Sequence, residues 1–597
     1  MGSFSAQFLI FVILNGILLC MVQAKVHYYD FVIKETNFTR LCHTKSVLVV
    51  NDSLPGPVIR VKKGDTVFVN VHNQGDYGFT LHWHGVKQPR NPWSDGPDYI
   101  TQCKIQTKTN FTYEVTFSTE EGTLWWHAHS DWTRATVHGA IVIEPADGTT
   151  YPFPKPDAEE IIVVGSWYTY DLKKLVEEAI KTGSDMPRTQ AYTINGEPGD
   201  LCPCSRQSTH NVVVDYGKTY HFRIVNANTN AEFFLAIAEH NVTVVGMDGA
   251  YVKPITTDYI MISPGQTIDF LVTANKTLGH YYIAGRQFSS ADAIIDEFDH
   301  TNVTAIFKYS GNYSAPLSPY FPFNLPLYND VPASSNFTHR LRSLANKDYP
   351  ANVPLNISTR MFVVASMGQV LCPNASCSGP GGNRLASSLN NISWVNPYSD
   401  ILRAYYGNIT GIYTPDFPDL PPKFYDFTGE DYTFNNSQPS QGTRVKVVNF
   451  NETVEIIFQG TSVLRGTESH PMHLHGHNFY VVGSGWGNFN NNSDPELFNL
   501  VDPPLLNTFG VPKYGWTVIR FWANNPGVWY LHCHMDRHMS WGMDSVLIVK
   551  NGGTVESTMR GPPASMPSCR NSDGKVEQKS GLLQKPNVSD GKVDEIE

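Results

Sequence analysis

The sequence predicts an all-β chain built from three copies of one Greek-key β-sandwich, and three observations carry that prediction. Short runs rich in Val, Ile, Thr, Tyr and Phe, punctuated by Gly, Pro and Asn, read as strands, as in Val58–Val69. A Gly-x-Thr turn leading into alternating apolar residues recurs at Gly64, Gly217, Gly265 and Gly515, with Asn451-Glu-Thr453 a close variant. Longer segments also align without a gap. Ala236–Gly246 falls onto His473–Gly483, and Gly122–His129 falls onto Gly527–His534, with Gly279–Arg286 the matching stretch of a middle copy.

A chain of 597 residues exceeds one ordinary core of roughly 150 residues, so several units are expected. The alignments place them at 25–148, 149–318 and 319–569, the last including a linker. The junctions fall near Pro145–Pro156 and within the Ser/Pro/Asn-rich stretch Ser314–Ser358. Residues 1–24 read as a signal peptide, with an apolar run from Phe8 to Met21 and small residues before a cleavage point after Ala24. That run is shorter than the roughly 20 residues needed to span a bilayer, so no stable membrane insertion is expected after cleavage. Residues 570–597 turn polar and charged and read as a disordered tail. Asn-X-Ser/Thr sequons recur from Asn37 to Asn587, which fits a glycosylated, exported product.

Apolar residues make up 41% and charged residues 17%, an ordinary globular balance. A formal net charge of −11 and the lack of a Lys/Arg run argue against a nucleic-acid partner.

The chemistry sits in four His-x-His pairs: His82/His84, His127/His129, His473/His475 and His532/His534. Residues i and i+2 of a strand share a face, so each pair presents two imidazoles to one point. One pair alone could be a polar strand face. Four pairs in matching copies, in two units of three, point to a metal cluster, since imidazole is a common copper ligand. The middle copy holds Ala236 and Ala238 where the third holds His473 and His475. In His532-Cys533-His534 the cysteine faces the other way, so one strand can feed two sites back to back. His538 and Met543 continue a Cys-x4-His-x4-Met run, and with His470 they complete a mononuclear His₂Cys site with a distal thioether. His477 aligns with His240 in the ligand-free copy and is therefore left out of the ligand set.

Over nearly its whole mature length the chain resembles the multicopper oxidases, and within them the plant laccases. The resemblance is carried by Leu81-His-Trp-His-Gly85, Leu124-Trp-Trp-His-Ala-His129, His470-Pro-Met-His-Leu-His-Gly-His477 and His532-Cys-His-Met-Asp-Arg-His538. Phrases outside the ligands, Asn195–Asp200 and Asn390–Ser393, add to it. It implies three cupredoxin-like domains and four copper ions per chain. The type 1 copper takes His470, Cys533, His538 and weakly Met543; the type 2 copper takes His82 and His473. The type 3 pair takes His84, His127, His129, His475, His532 and His534. It implies one-electron oxidation of small phenolic or aromatic donors coupled to four-electron reduction of O₂ to water, in the phenolic or lignin metabolism of the apoplast and cell wall. Donors are expected at an exposed imidazole edge of His470 or His538, with a covalent path from Cys533 to His532 and His534. Asp95 and Asp536 match positions where the family places carboxylates that supply protons, although each also fits a turn or ligand-orienting role.

Of nine cysteines, Cys20 lies in the leader and Cys533 at the metal. The resemblance pairs Cys42 with Cys204, Cys103 with Cys569 and Cys372 with Cys377, leaving Cys202 over or competing with Cys204. An ascorbate oxidase or ferroxidase would keep the same ligands. A copper-free cell-wall protein on the same three domains would have lost them.

Overall fold

The computed structural model describes residues 24–291, 300–429, 437–463 and 468–569. The expected leader, apart from Ala24, and the expected tail lie outside the described residues.

The described chain is all-β, in three pairs of facing sheets. The first pair consists of two four-stranded sheets formed within Val26–Glu144. One holds Thr66–Asn73 between Val26–Arg40 and Asn110–Thr116; the other runs Ile59–Lys62, His138–Glu144, Gly122–Ala128, Leu81–His84. A six- and a five-stranded sheet follow between Ala158 and Tyr309. An eight- and a five-stranded sheet complete the chain from Thr359 to Val549. The longer helices among the described residues are still short: Leu172–Thr182, Val331–Thr338, Ile401–Tyr406 and Asp536–Ser540.

The repeated turn explains the repeated glycines. Its left-handed residue is Gly64, Gly217, Gly265 or Asn451, and a strand begins one or two residues later in each case. In the fifth copy the left-handed position moves back to Tyr514. At Gly217 an added Cβ would meet nothing within 4 Å, so glycine is needed there for its backbone freedom alone.

Strands of the inner sheets are buried on both faces, as Gly122–Ala128 and Gly527–Cys533 are along their full length. Trp83, Trp125, Trp126 and Trp529 lie fully buried around them. Three disulfides join Cys42 to Cys204, Cys103 to Cys569 and Cys372 to Cys377, as the resemblance implied, and buried Cys202 takes no part in them.

Candidate metal centre

Strand register builds the centre. In the first unit Leu81–His84 pairs antiparallel with Gly122–Ala128, setting His82 opposite His127. In the third unit His470–Leu474 pairs with Gly527–Cys533, setting His473 opposite His532. The middle unit repeats that pairing with Ala236 opposite Ala284. One backbone arrangement thus occurs three times and carries imidazoles in two of them.

The eight histidines of the four pairs come together, each at most 5% exposed. His84 stacks on His473 with ring centroids 3.8 Å apart, and His82 lies 3.9 Å from His475, so first and third units interleave. Ligand atoms of His82, His84 and His127 fall within 4.8 Å of one another, as do those of His82, His473 and His475 and those of His129, His475 and His532. His534 Nε2 lies 3.2 Å from His84 Nδ1.

The second nitrogen of most rings is spoken for, and this fixes which nitrogen is left. His82 Nδ1 donates to Asp95 O at 2.7 Å, His127 Nδ1 to Ala128 O at 2.9 Å, and His473 Nδ1 to Asn507 O at 2.8 Å. His475 Nδ1 donates to Asp95 Oδ2 at 2.9 Å, and His532 Nδ1 to Cys533 O at 3.0 Å. His84 is turned the other way, with Nε2 donating to Asn507 Oδ1 at 3.0 Å. Neutral rings bonded so present lone pairs inward.

Burial, then the neighbouring imidazoles, hold His84, His127, His129, His473 and His475 well below the usual histidine range, and burial pushes His532 down to about 3. These rings are neutral at physiological pH. Yet His475 Nε2 and His532 Nε2 face each other at 3.2 Å, two lone pairs with no proton between them. The Nε2 atoms of His82, His127, His129 and His473 are buried with no hydrogen-bond partner. Such an arrangement is unfavourable unless a cation accepts the lone pairs, and an all-imidazole donor set suits copper. The cluster fits the metal.

The second site lies on the opposite face of the same strand. His470 Nδ1 is 3.2 Å from His538 Nδ1, which is 3.4 Å from Cys533 Sγ; all three residues are buried. Burial pushes His470 down to about 4 and raises the Cys533 thiol, so metal entry must displace the thiol proton. Met543 is fully buried beside them, its carbonyl accepting from Cys533 N at 3.1 Å and its N–H donating to His538 O at 3.0 Å. The expected exposed imidazole edge is absent: His470 is 0% and His538 2% exposed. Cys103, Asp400 and Cys569 also converge, but those sulfurs are tied in a disulfide.

Asp95 is fully enclosed by the cluster, where burial raises its carboxyl and His82 opposes that rise. Asp536 Oδ2 lies 3.2 Å from Arg134 Nε. His477 Nδ1 donates to His475 O at 3.3 Å, just as His240 Nδ1 donates to Ala238 O at 2.7 Å in the ligand-free copy. Sequence reasoning missed the residues that hold the rings, Arg134, Asn507 and Thr508, and those that hold Asn507 and Thr508 in turn, Asp248 and Gln266. They lie outside the His motifs, and nothing local marks them.

Models of the multicopper oxidase family match residues 32–148, 158–312 and 416–553. Laccase-14 of Arabidopsis thaliana is 48% identical, covering 92% of this chain and 95% of its own. Laccase-21 of Oryza sativa subsp. japonica is 49% identical, with 91% and 94% covered. The chain belongs to the multicopper oxidase family, within its plant laccases. This oxidase takes single electrons from small phenolic donors and couples them to reduction of O₂. The fold matches the crystal structure of the Botrytis aclada laccase, with TM-score 0.68, 23% identity and 91% and 90% of the two chains covered. Fet3p, a multicopper oxidase that functions in iron import, matches with TM-score 0.68, 23% identity and 88% and 90% covered. No helix among the described residues is long and apolar enough to cross a membrane.

Proposed function

We propose that this oxidase divides its work between the two faces of the strand Gly527–Cys533. His470, Cys533 and His538, with Met543 behind them, hold the electron-accepting type 1 copper. His82 and His473 hold the type 2 copper; His84, His127, His129, His475, His532 and His534 hold the type 3 pair. Copper bound there would supply one-electron acceptance at the first site and four-electron delivery to O₂ at the cluster. The carrying observation is the convergence of His470 Nδ1, His538 Nδ1 and Cys533 Sγ opposite a buried imidazole cluster.

The chain's own residues do the rest. Cys533 is bonded through its backbone to His532 and His534, giving a covalent path from the thiolate to both rings. Cluster burial keeps bulky phenols away from the oxygen site. Asp95 fixes the His475 ring through Oδ2 and is placed to pass protons toward the cluster; Asp536, which faces Arg134 rather than a ring, is the second candidate for that role.

The reading extends to domain limits of 25–148, 149–318 and 319–569 and to export into the apoplast. Three disulfides favour an oxidising compartment, in line with the leader and the sequons. Cys533→Ser tests the central assignment. The blue absorption and donor oxidation should vanish while the histidine cluster still binds copper; an undiminished blue band would overturn it.

A further inference from the structure

One buried cation touches this site and none of the sequence motifs predicts it. Arg134 belongs to the first unit, on the turn Thr133–Ala135, and is 2% exposed. Its Nη1 lies 3.0 Å from His534 Nδ1, and its Nη2 donates to the His534 carbonyl and, at 3.0 Å, to Thr229 O of the middle unit. Its Nε lies 3.2 Å from Asp536 Oδ2. Asp536 N donates to the same Thr229 carbonyl at 2.9 Å. The Arg134 carbonyl in turn accepts from His138 Nδ1 at 2.7 Å.

A guanidinium carries five N–H donors and no acceptor, so His534 Nδ1 must be the acceptor of this bond. That separates His534 from its fellows. The outer nitrogens of His82, His84, His127, His473, His475 and His532 all face oxygen acceptors. His534 alone among these seven is held from outside by a cation. Burying a guanidinium is strongly unfavourable unless it is paired and its donors are used. Here Asp536 balances the charge, and the fork grips both the ring and the backbone of one residue, a geometry that a lysine cannot copy.

We propose that Arg134 is a positioning residue of the histidine cluster: it sets the His534 ring from its Nδ1 side, anchoring first, middle and third units at one point. The proposal rests on the ligand assignment above. If His534 is a ligand through Nε2, the metal must displace the proton that this bond leaves on Nε2, giving an imidazolate between the ion and the guanidinium, and the direction of that ring is set by this grip. An error there strands one ion of the type 3 pair while leaving the opposite face of the strand alone.

Removing Arg134 outright takes a buried countercharge from beside Asp536, so Arg134→Met alone could fail to fold. The informative variants are Arg134→Lys, which keeps the charge beside Asp536, and Arg134→Met with Asp536→Asn, which removes both charges. Each is compared with the parent oxidase for copper content, blue absorption, thermal unfolding and the electron-spin signal of magnetically uncoupled copper. Both variants should keep the blue band. Both should lose up to one copper per chain or gain an uncoupled signal, with oxygen uptake down at least tenfold. Full copper, a parental spin spectrum and parental oxygen uptake in either variant overturn the proposal. So does loss of the blue band together with the cluster copper, which would make Arg134 a strut for the whole fold. A parent without cluster copper would instead sink the ligand assignment, a different result from a fully loaded variant.

Discussion

Gly265 in the ligand-free middle unit offers a measurable test of how tightly the cluster is enclosed. Its φ is +94°, and a Cβ added there would lie 2.8 Å from His534 Cδ2 and 2.9 Å from Cγ. Tolerable contacts start near 3.4 Å, so in Gly265→Ala the ring must retreat by about 0.6 Å. Metal–ligand distances tolerate only about 0.2 Å, and an error approaching 1 Å in a reacting group can cost about 100-fold in rate. Gly217→Ala is the control. It shares the left-handed backbone, at φ +82°, but its Cβ meets nothing within 4 Å. Each alanine should lose about 1–2 kcal/mol of stability from the backbone alone. Only Gly265→Ala should also lose cluster copper and slow oxygen uptake by roughly 10- to 100-fold, with the blue band intact. Equal copper content and equal oxygen uptake in the two variants would refute the reasoning.

Further expectations separate the two sites. His127→Ala should keep the blue band and accept one electron from a phenol, yet turnover with O₂ should collapse; sustained oxygen consumption would remove His127 from the ligand set. Met543→Leu should keep the blue colour and raise the type 1 potential, because a thioether stabilises the oxidised metal and an alkyl group does not. A redox titration showing an unchanged or lower potential would leave Met543 as packing only. His477→Phe should retain full copper and oxygen uptake and lose about 1 kcal/mol with its Nδ1 bond, as seen by thermal unfolding; missing copper would show that excluding it was wrong.

Much of the fold was legible because the repeat states it several times. The strand alternation, the Gly-x-Thr turns and the gap-free alignments are local features, and the observed register sets Ala236 opposite Ala284 where the third unit sets His473 opposite His532. The ligands were legible for the same reason, since i and i+2 share a face wherever the strand lies. What stayed hidden depends on how units pack. The burial of His470 and His538 comes from surrounding elements that no motif encodes. Arg134 reaches His534 across 400 positions, and Asn507 reaches His84 across 423.

Those long reaches also explain why a copy without ligands belongs in the molecule. Asp248 of the middle unit accepts from Asn507 N at 3.3 Å and Thr508 N at 3.2 Å, and Gln266 Nε2 donates to Thr508 O at 2.9 Å. Asn507 and Thr508 then hold His84 and His473, one ring from each of the outer units. On the other side Gly265 O receives Trp125 Nε1 at 2.9 Å, and Thr229 O receives both Arg134 and the Asp536 amide. The outer units supply imidazoles across an interface that two sandwiches alone would leave open to water and sliding. A third sandwich of the same shape, with alanines in place of ligands, closes that interface with backbone and carboxylate contacts and draws no metal to itself. Loss of its histidines therefore counts as part of the site's construction, since a ligand pair at Ala236 and Ala238 would compete for copper where no partner strand offers the other imidazoles.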